Sequence, residues 1–191
     1  MMTLPERLDR VRELIQTDEF LTGKGLSNEV NIQIFCYRAE DEMLVRHFVE
    51  ELKQDRALRC NLIERNFYEV MLSICEGRRI LQRVPDIEEK KGKEFLLKQL
   101  QTIVTEKEFV RALQYEPHQP GDVLLLTGVG TVFPFMRVHK LLEAIQPYFS
   151  DVPVLVMYPG RFDGHYLKLF DRLKANDYYR AFNLLYEEEY V

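Results

Sequence analysis

Two glycine-rich turns, each preceded by an apolar run, hold the residues of this chain whose types and spacing best suit binding or chemistry. The first run, residues 123–127, ends in Thr127-Gly-Val-Gly130, and the second, residues 152–159, ends at Gly160. An apolar run that stops abruptly at glycine is typical of a buried parallel strand. The carboxyl ends of parallel strands share the edge at which open α/β sheets bind ligands. We therefore predict that both turns lie at one edge of a sheet.

The first turn is a candidate anion-binding site through Thr127, Gly128 and Gly130. Glycine lets backbone N–H groups approach a phosphate, and the start of a following helix adds a favourable dipole. However, the turn lacks the third glycine of a dinucleotide-binding fingerprint, and no Walker A phosphate loop occurs anywhere in the chain. A tight structural turn is the favoured interpretation, and anion binding is the alternative.

The segment after the first turn is apolar at the point where the sheet edge should meet solvent. It contains Phe133, Pro134 and Phe135, followed by Arg137 and His139. Two interpretations are open: simple packing of the turn, or an exposed docking wedge, since contiguous apolar surface groups often mark interfaces. The predicted partner-binding residues, including one from the second turn, are Phe133, Pro134, Phe135, Arg137, His139 and Arg161.

Other titratable residues offer weaker patterns. Asp163 and His165 follow the second turn and suit acid–base chemistry or metal binding, but no third ligand is specified by spacing. Asp163 with Gly164 is also a common turn pair. A metal-dependent nuclease that uses Glu64 and Asp163 is a further alternative. The four histidines suggest no Ser-His-Asp or Cys-His arrangement, so we predict no catalytic residue, no metal and no cofactor.

Composition limits the classes of protein. A length of 191 residues suits one α/β domain spanning 1–191, and the net charge of -5 argues against generic binding to nucleic acid or anionic membrane. No apolar run approaches the roughly 20 residues needed to cross a bilayer. Charges close to the first residue predict no signal peptide. The odd cysteine count without a CxxC predicts that Cys36, Cys60 and Cys75 are core residues in a reducing cytoplasm.

Apolar periodicity predicts alternating strands and helices. The predicted strands are residues 31–37, 60–64, 123–127, 154–157 and 179–185. The predicted helices outside the middle of the chain are residues 3–15, 40–54, 133–145 and 166–173. Met43 is predicted on the inward face of the second helix. This alternation favours right-handed crossovers and a mostly parallel sheet of about five strands flanked by helices. The layout is Rossmann-like, or like a degenerate P-loop core without its Walker A loop.

Residues 67–115 are predicted to be almost entirely helical, which makes them a helical insertion between the second and third strands. Such an insertion either covers one face of the sheet or projects from it as a partner-binding element. The helical pattern is compatible with both arrangements. Its basic residues, including Arg78, Arg79 and Arg83, are interleaved with glutamates. A solvated helical surface is therefore favoured over phosphate binding.

Several of these motifs together resemble one known family. They are Leu124-Leu-Leu-Thr-Gly-Val-Gly-Thr-Val-Phe-Pro-Phe-Met-Arg137 with His139, Val156-Met-Tyr-Pro-Gly160 with Asp163-Gly164, Leu167-Lys-Leu-Phe170, and Tyr178-Tyr-Arg-Ala-Phe182. The combination resembles the BrxB family, a small component of bacterial BREX (bacteriophage exclusion) systems. The resemblance is strongest over residues 120–185.

The resemblance implies the biological system in which the protein acts, but it does not imply a chemical reaction. BREX systems restrict phage in the cytoplasm and mark host DNA by adenine methylation. Their members include an ATPase, a methyltransferase and PglZ, an alkaline-phosphatase-like protein. The resemblance carries over no catalytic residues. We expect a non-enzymatic, cytoplasmic interaction or scaffolding subunit that binds the PglZ-type protein and other BREX subunits, reaches DNA only indirectly and binds no membrane. The alternative is a degenerate nucleotide- or nucleic-acid-binding domain that uses the glycine turn after the third strand.

Overall fold

The computed structural model describes residues 2–23, 31–162, 166–174 and 182–185. The strands are β1 (Ile32–Tyr37), β2 (Asn61–Asn66), β3 (Asp122–Thr127), β4 (Val154–Phe162), β5 (Leu167–Leu169), β6 (Leu173–Lys174) and β7 (Phe182–Asn183). The helices are α1 (Leu4–Leu14), α2 (Asp18–Thr22), α3 (Glu42–Gln54), α4 (Phe67–Gly77), α5 (Val84–Lys91), α6 (Lys93–Ile103), α7 (Glu106–Leu113), α8 (Val129–Val132) and α9 (Val138–Ile145). No helix in these ranges is long and apolar enough to cross a membrane.

The main sheet is parallel and has the strand order β2-β3-β4-β1-β7. This confirms the predicted α/β fold with a mostly parallel sheet flanked by helices. Strands β3 and β4 consist mainly of apolar residues because both of their faces are covered. From β1 the chain crosses to the β2 edge, and after β4 it reaches β7 at the opposite edge. The connections that leave the neighbouring strands β1 and β4 therefore run in opposite directions, and open α/β sheets bind ligands at such a point.

Helices cover both faces of this sheet. On one face, α4, α6, α7 and α9 enclose a core that includes Phe67, Phe109 and Leu126. On the other face, α1 and α3 pack on a smaller core that includes Phe48 and Leu125. Residues 67–115 therefore cover one sheet face and do not project from it.

The predicted burial of the three cysteines is confirmed, since Cys36, Cys60 and Cys75 are buried and carry free thiols. Burial raises the pKa of the thiols of Cys60 and Cys75. A capping box closes the start of α1. The Thr3 hydroxyl accepts the Glu6 N–H, and the Glu6 carboxylate accepts the Thr3 N–H at 2.7 Å.

The predicted helix over residues 166–173 is wrong. Residues 167–169 and 173–174 form the strands β5 and β6, which pair antiparallel with the end of β4. Period-two alternation in Leu167-Lys-Leu169 is the local sign of a strand. Leu169 begins a tight turn whose central residues, Phe170 and Asp171, have φ of 54° and 58°. Such a turn ends any helix.

Three other predicted boundaries or positions differ. The helix predicted at residue 133 begins at Val138, because the residue before Pro134 is driven out of the α region. Met43, predicted to point inward, is 72% exposed, since it lies off the stripe formed by Val45, Phe48, Val49 and Leu52. The last strand is limited to Phe182–Asn183, and the residues 179–181 predicted for it lie outside the described residues.

Candidate interaction surface at the carboxyl edge of the sheet

Strands β3 and β4 are neighbours, so the segments that follow them share one edge of the sheet, as predicted. After β3, the chain forms the glycine turn, the short helix α8 and the apolar segment. Strand β4 extends past the main sheet, and its last residues, 160–162, pair with β5. We call residues 160–162 together with residues 167–174, which are β5, the following turn and β6, the arm. Arg161 therefore lies within β4, in the arm, and not in a turn after the strand. Asp163, Gly164 and His165 lie outside the described residues.

The two glycines of the first turn make room for neighbouring side chains. Gly128 has φ of 73°, and a Cβ there would lie 2.4 Å from Oδ1 of Asn66. Asn66 is itself held in place because its Oδ1 accepts the N–H groups that begin α4. At Gly130 a Cβ would lie 2.9 Å from the ring of Phe170 in the arm. This geometry supports the structural-turn interpretation of the glycines.

Thr127 belongs to a series of polar side chains that bond to one another on the α3 face of the sheet. Its hydroxyl donates to Oε1 of Glu64 at 2.7 Å, and Oε2 of Glu64 pairs with Nζ of Lys53 at 2.7 Å. Hydrogen bonds to Glu50 and Glu64 raise the pKa of Lys53. Glu64, the acidic residue named in the nuclease alternative, is therefore already bonded to Thr127 and Lys53. Within the described ranges, no three His, Cys, Asp or Glu side chains converge into a group that could hold a metal ion.

The apolar segment forms a ridge, which we define as Phe133, Pro134 and Phe135. Pro134 is exposed and the two phenylalanines are half-buried. Phe133 packs edge-to-face on Phe170 of the arm, with ring centroids 6.2 Å apart. On the other side, Nε2 of Gln101 in α6 donates to the Pro134 carbonyl at 2.8 Å. The ridge is thus fastened to the arm and to the helical insertion while it keeps part of its apolar surface open.

A groove lies on each side of Pro134 and Phe135. The first, of about 500 Å³, is mostly apolar and runs between α4, α5 and α6. Its apolar lining comprises Tyr68, Met71, Leu72, Cys75, Leu81, Val84, Leu96, Leu97, Leu100, Pro134 and Phe135. The second, of about 480 Å³, runs from the end of α6 past the start of α7 to Arg137. The ridge and the helical insertion therefore form one continuous surface.

Arg137 and His139 face a third and much smaller cleft, of about 30 Å³, beside Phe133 and the leucines of the arm. Arg137 is exposed, and no acidic side chain in the described part of the chain pairs with it. Arg161 is 73% exposed on the arm, where its Nε lies 3.2 Å from Oδ1 of Asp171. The structure thus brings Arg137 and His139 next to the ridge, whereas Arg161 belongs to the arm.

A side-chain network that the sequence patterns did not indicate lies at the carboxyl end of β1. The Tyr37 hydroxyl donates to Glu42 at 2.6 Å, and burial together with this carboxylate raises the pKa of Tyr37. Arg46 of α3 donates to Glu42 at 2.8 Å and to the Thr131 hydroxyl at 2.9 Å. These bonds connect the start of α3 to α8, near the position where a P-loop would follow the first strand. No local sequence pattern indicates that Arg46 and Thr131 are in contact.

A family model described as "BREX protein BrxB" matches residues 63–184, a span that includes the ridge, both large grooves and the arm. The chain belongs to the BrxB family. Among its BrxB relatives, the BREX protein BrxB of Bacillus cereus (strain H3081.97) is 38% identical over 192 residues, which cover 97% of this chain and 99% of the relative. The BREX protein BrxB of Escherichia coli O9:H4 (strain HS) is 30% identical over 187 residues, 95% of this chain and 92% of the relative. No solved structure matches this BrxB-family chain.

Proposed function

We propose that this chain is a non-enzymatic interaction subunit of a BREX phage-defence complex, and that it binds the PglZ-type, alkaline-phosphatase-like component. It acts in the cytoplasm and reaches DNA only through other subunits. Membership of the BrxB family supports the BREX context. The choice of the PglZ-type protein rests on the composition of BREX systems and on the apolar character of the carboxyl edge.

The observation that carries the proposal is the half-exposed aromatic ridge between two grooves. Protein interfaces concentrate binding energy in a few aromatic anchors that are surrounded by polar, solvent-accessible residues. Phe133 and Phe135 are suited to be such anchors, with Pro134 between them. Arg137 and His139 lie beside them, and Arg161 supplies a further cation on the arm.

The packing of the glycine turn also favours protein binding over nucleotide binding. The spaces above Gly128 and Gly130 are occupied by Asn66 and Phe170. The Thr127 hydroxyl is already bonded to Glu64. An arriving phosphate would have to displace these contacts, whereas a partner protein can bind the ridge without changing them.

Co-purification with the PglZ-type protein of the same BREX system tests the proposal directly. The two proteins are mixed and separated by size exclusion at moderate salt. We expect co-elution at a defined stoichiometry. Separate elution at concentrations well above a micromolar dissociation constant would refute the choice of partner.

A substitution on the ridge tests the proposed surface. Phe135→Asp is expected to weaken binding at least about thirtyfold, because hot-spot anchors contribute about 2 kcal/mol or more. Phe135 is half-buried, so circular dichroism and the melting temperature must first confirm that the variant folds. Tyr148→Asp is the matched control, since Tyr148 is 50% exposed and lies after α9, toward the opposite edge of the sheet. Unchanged binding by folded Phe135→Asp would contradict this placement.

A further inference from the structure

The arm places two basic residues directly opposite each other on neighbouring strands. Arg161 of β4 lies opposite Lys168 of β5. Residues directly opposite each other in antiparallel strands have Cβ atoms about 4.5–5.5 Å apart. This pairing concentrates positive charge on one side of the arm, which suits an anionic binding partner.

More positive charge lies at the tip of the arm and beside the ridge. Arg172 is exposed in the turn before Leu173, and Arg137 lines the same small cleft as Leu173. Neither arginine forms an ion pair in the described part of the chain. The acidic residue of this tip, Asp171, pairs with Arg161. The arm and the adjacent start of α9 thus form a basic surface on a protein whose net charge is -5.

Two features favour an acidic protein segment over nucleic acid as the occupant. The net charge of -5 disfavours the approach of a long polyanion to the molecule as a whole. The basic surface also has apolar neighbours, since Leu173 is 42% exposed and Phe133 lines the same cleft. A phosphate backbone offers these residues no apolar contact, whereas a peptide can place leucine or phenylalanine there between its carboxylates.

We propose that the arm binds an acidic segment of the partner protein that carries at least one large apolar side chain. The carboxylates pair with Arg137, Arg161 and Arg172, and the apolar side chain covers Leu173 and Phe133. The inference rests on the proposed function, because it names the chemistry of the partner segment that extends from the ridge onto the arm.

Fluorescence anisotropy with a synthetic probe tests this without the natural partner. The probe is a short fluorescein-labelled peptide in which glutamates flank leucine and phenylalanine, and the control peptide has lysine in place of every glutamate. We expect the acidic peptide to bind, with an affinity that falls as salt is raised, and the lysine peptide not to bind. Failure of the wild-type protein to bind the acidic peptide would overturn the inference.

Charge variants locate the binding surface. The double variant Arg161→Glu/Arg172→Glu is expected to weaken binding of the acidic peptide by about tenfold or more, since charge complementarity is reversed. Arg161→Lys keeps the charge and should retain binding even if the bond to Asp171 is lost. Arg56→Glu makes the same charge change on an exposed residue between α3 and β2, at the opposite edge, and should also retain binding. Equal weakening by Arg56→Glu would overturn the placement.

Two further outcomes separate this inference from its alternatives. Leu173→Ser is expected to weaken binding of the acidic peptide, and an unchanged affinity would remove the apolar part of the inference. Duplex DNA that binds the same arginines more tightly than the peptide would overturn the choice of an acidic protein segment. Co-elution with the PglZ-type protein that is insensitive to the arm variants, but is lost in Phe135→Asp, would leave the proposed function intact while refuting the inference about the arm.

Discussion

At the scale of single residues, the two glycines of the turn after β3 illustrate how a functional motif and a packing motif can look alike. Glycine is needed at Gly128 because φ is 73° and because Asn66 fills the space where a side chain would lie. Gly130 lies under the ring of Phe170, which comes from the arm about forty residues later. The two glycines are therefore required by close packing between segments that are distant in the sequence.

Gly128→Ala is expected to lower the free energy of unfolding by about 1–3 kcal/mol, because it combines a disfavoured φ with a collision against Asn66. Gly77→Ala is the matched control. Nothing lies within 4 Å of a Cβ at Gly77, the last residue of α4, so this variant should be neutral or more stable by up to about 1 kcal/mol. Urea denaturation measures both. Equal effects in the two variants would contradict the assigned role of Gly128.

Asp122, at the start of β3, is a buried carboxylate with a structural role. It accepts hydrogen bonds from Nδ2 of Asn61 at 2.8 Å, from the Tyr115 hydroxyl at 3.1 Å and from the Gln119 N–H at 2.8 Å. Burial acts to raise the pKa of Asp122, but these hydrogen bonds and the nearby His118 hold it below the usual range. A depressed pKa in the folded state stabilises the protein above the unfolded pKa of about 3.9, and this contribution is lost as pH falls through the folded value.

Asp122→Asn should therefore reduce stability near neutral pH and flatten its decline on acidification. The difference in the free energy of unfolding between wild type and variant should shrink as pH falls below about 4. Urea midpoints measured from neutral to acidic pH report this difference. Tyr115→Phe removes one of the three hydrogen bonds and should produce a smaller effect of the same sign. Parallel pH curves for wild type and Asp122→Asn would show that other carboxylates dominate.

At the scale of elements, the helical insertion contains helices of very different packing. Helix α4 buries Phe67, Val70, Met71, Ile74 and Cys75 against the sheet. Helix α5 buries none of its residues, although its Val84 lines the apolar groove beside the ridge. Local stability follows buried apolar contacts, so α5 belongs to the least stable part of the layer. It is therefore the part of the groove best able to adjust to a partner.

Amide hydrogen exchange is expected to distinguish these helices. Peptides from α5 should exchange much faster than peptides from α4, because α5 opens without exposing a buried core. Addition of the PglZ-type protein should slow exchange in α5 if the partner extends into the apolar groove. The solvent-exposed face of α3, on the other side of the sheet, provides the internal control and should not change. Equal protection of α4 and α5 in the free protein would contradict this ranking.

At the scale of the whole molecule, the insertion and the sheet form one continuous core. Phe109 of α7 is fully buried and packs edge-to-face on Phe67 of α4, with centroids 6.3 Å apart. The same core includes Leu124 and Leu126 of β3. Since the helices bury the face of the sheet that they cover, neither layer has a complete core without the other.

Phe109→Ala is expected to destabilise the whole molecule by about 3–5 kcal/mol, the range for removal of a buried aromatic ring. The transitions followed by far-ultraviolet circular dichroism and by tyrosine fluorescence should coincide, because helices and sheet unfold together. Phe95→Ala is the control: Phe95 is 43% exposed on α6, so its loss should change stability by about 0.5 kcal/mol or less. Separate transitions for the two probes would contradict a shared core.

The sequence by itself determined the elements whose burial repeats with a local period. The apolar run before Thr127 specified a strand buried on both faces, and the spacing of Val45, Phe48, Val49 and Leu52 specified the inward face of α3. The motifs around residues 124–137 and 156–170 pointed to the BrxB family, to which the chain belongs. Local periodicity suffices for these inferences because it reports which face of an element is buried.

The tertiary structure alone decided which distant segments provide that burial. Residues 167–169 form a strand, where a helix was predicted, because the end of β4 supplies hydrogen-bond partners that no local pattern indicates. The hydrogen bond from Gln101 to the Pro134 carbonyl joins the ridge and the helical insertion into one surface. The hydrogen bond from Arg46 to Thr131, which are 85 residues apart, joins α3 to α8. The spacing of apolar residues shows which face of a helix or strand is buried, but it does not show which other element covers that face.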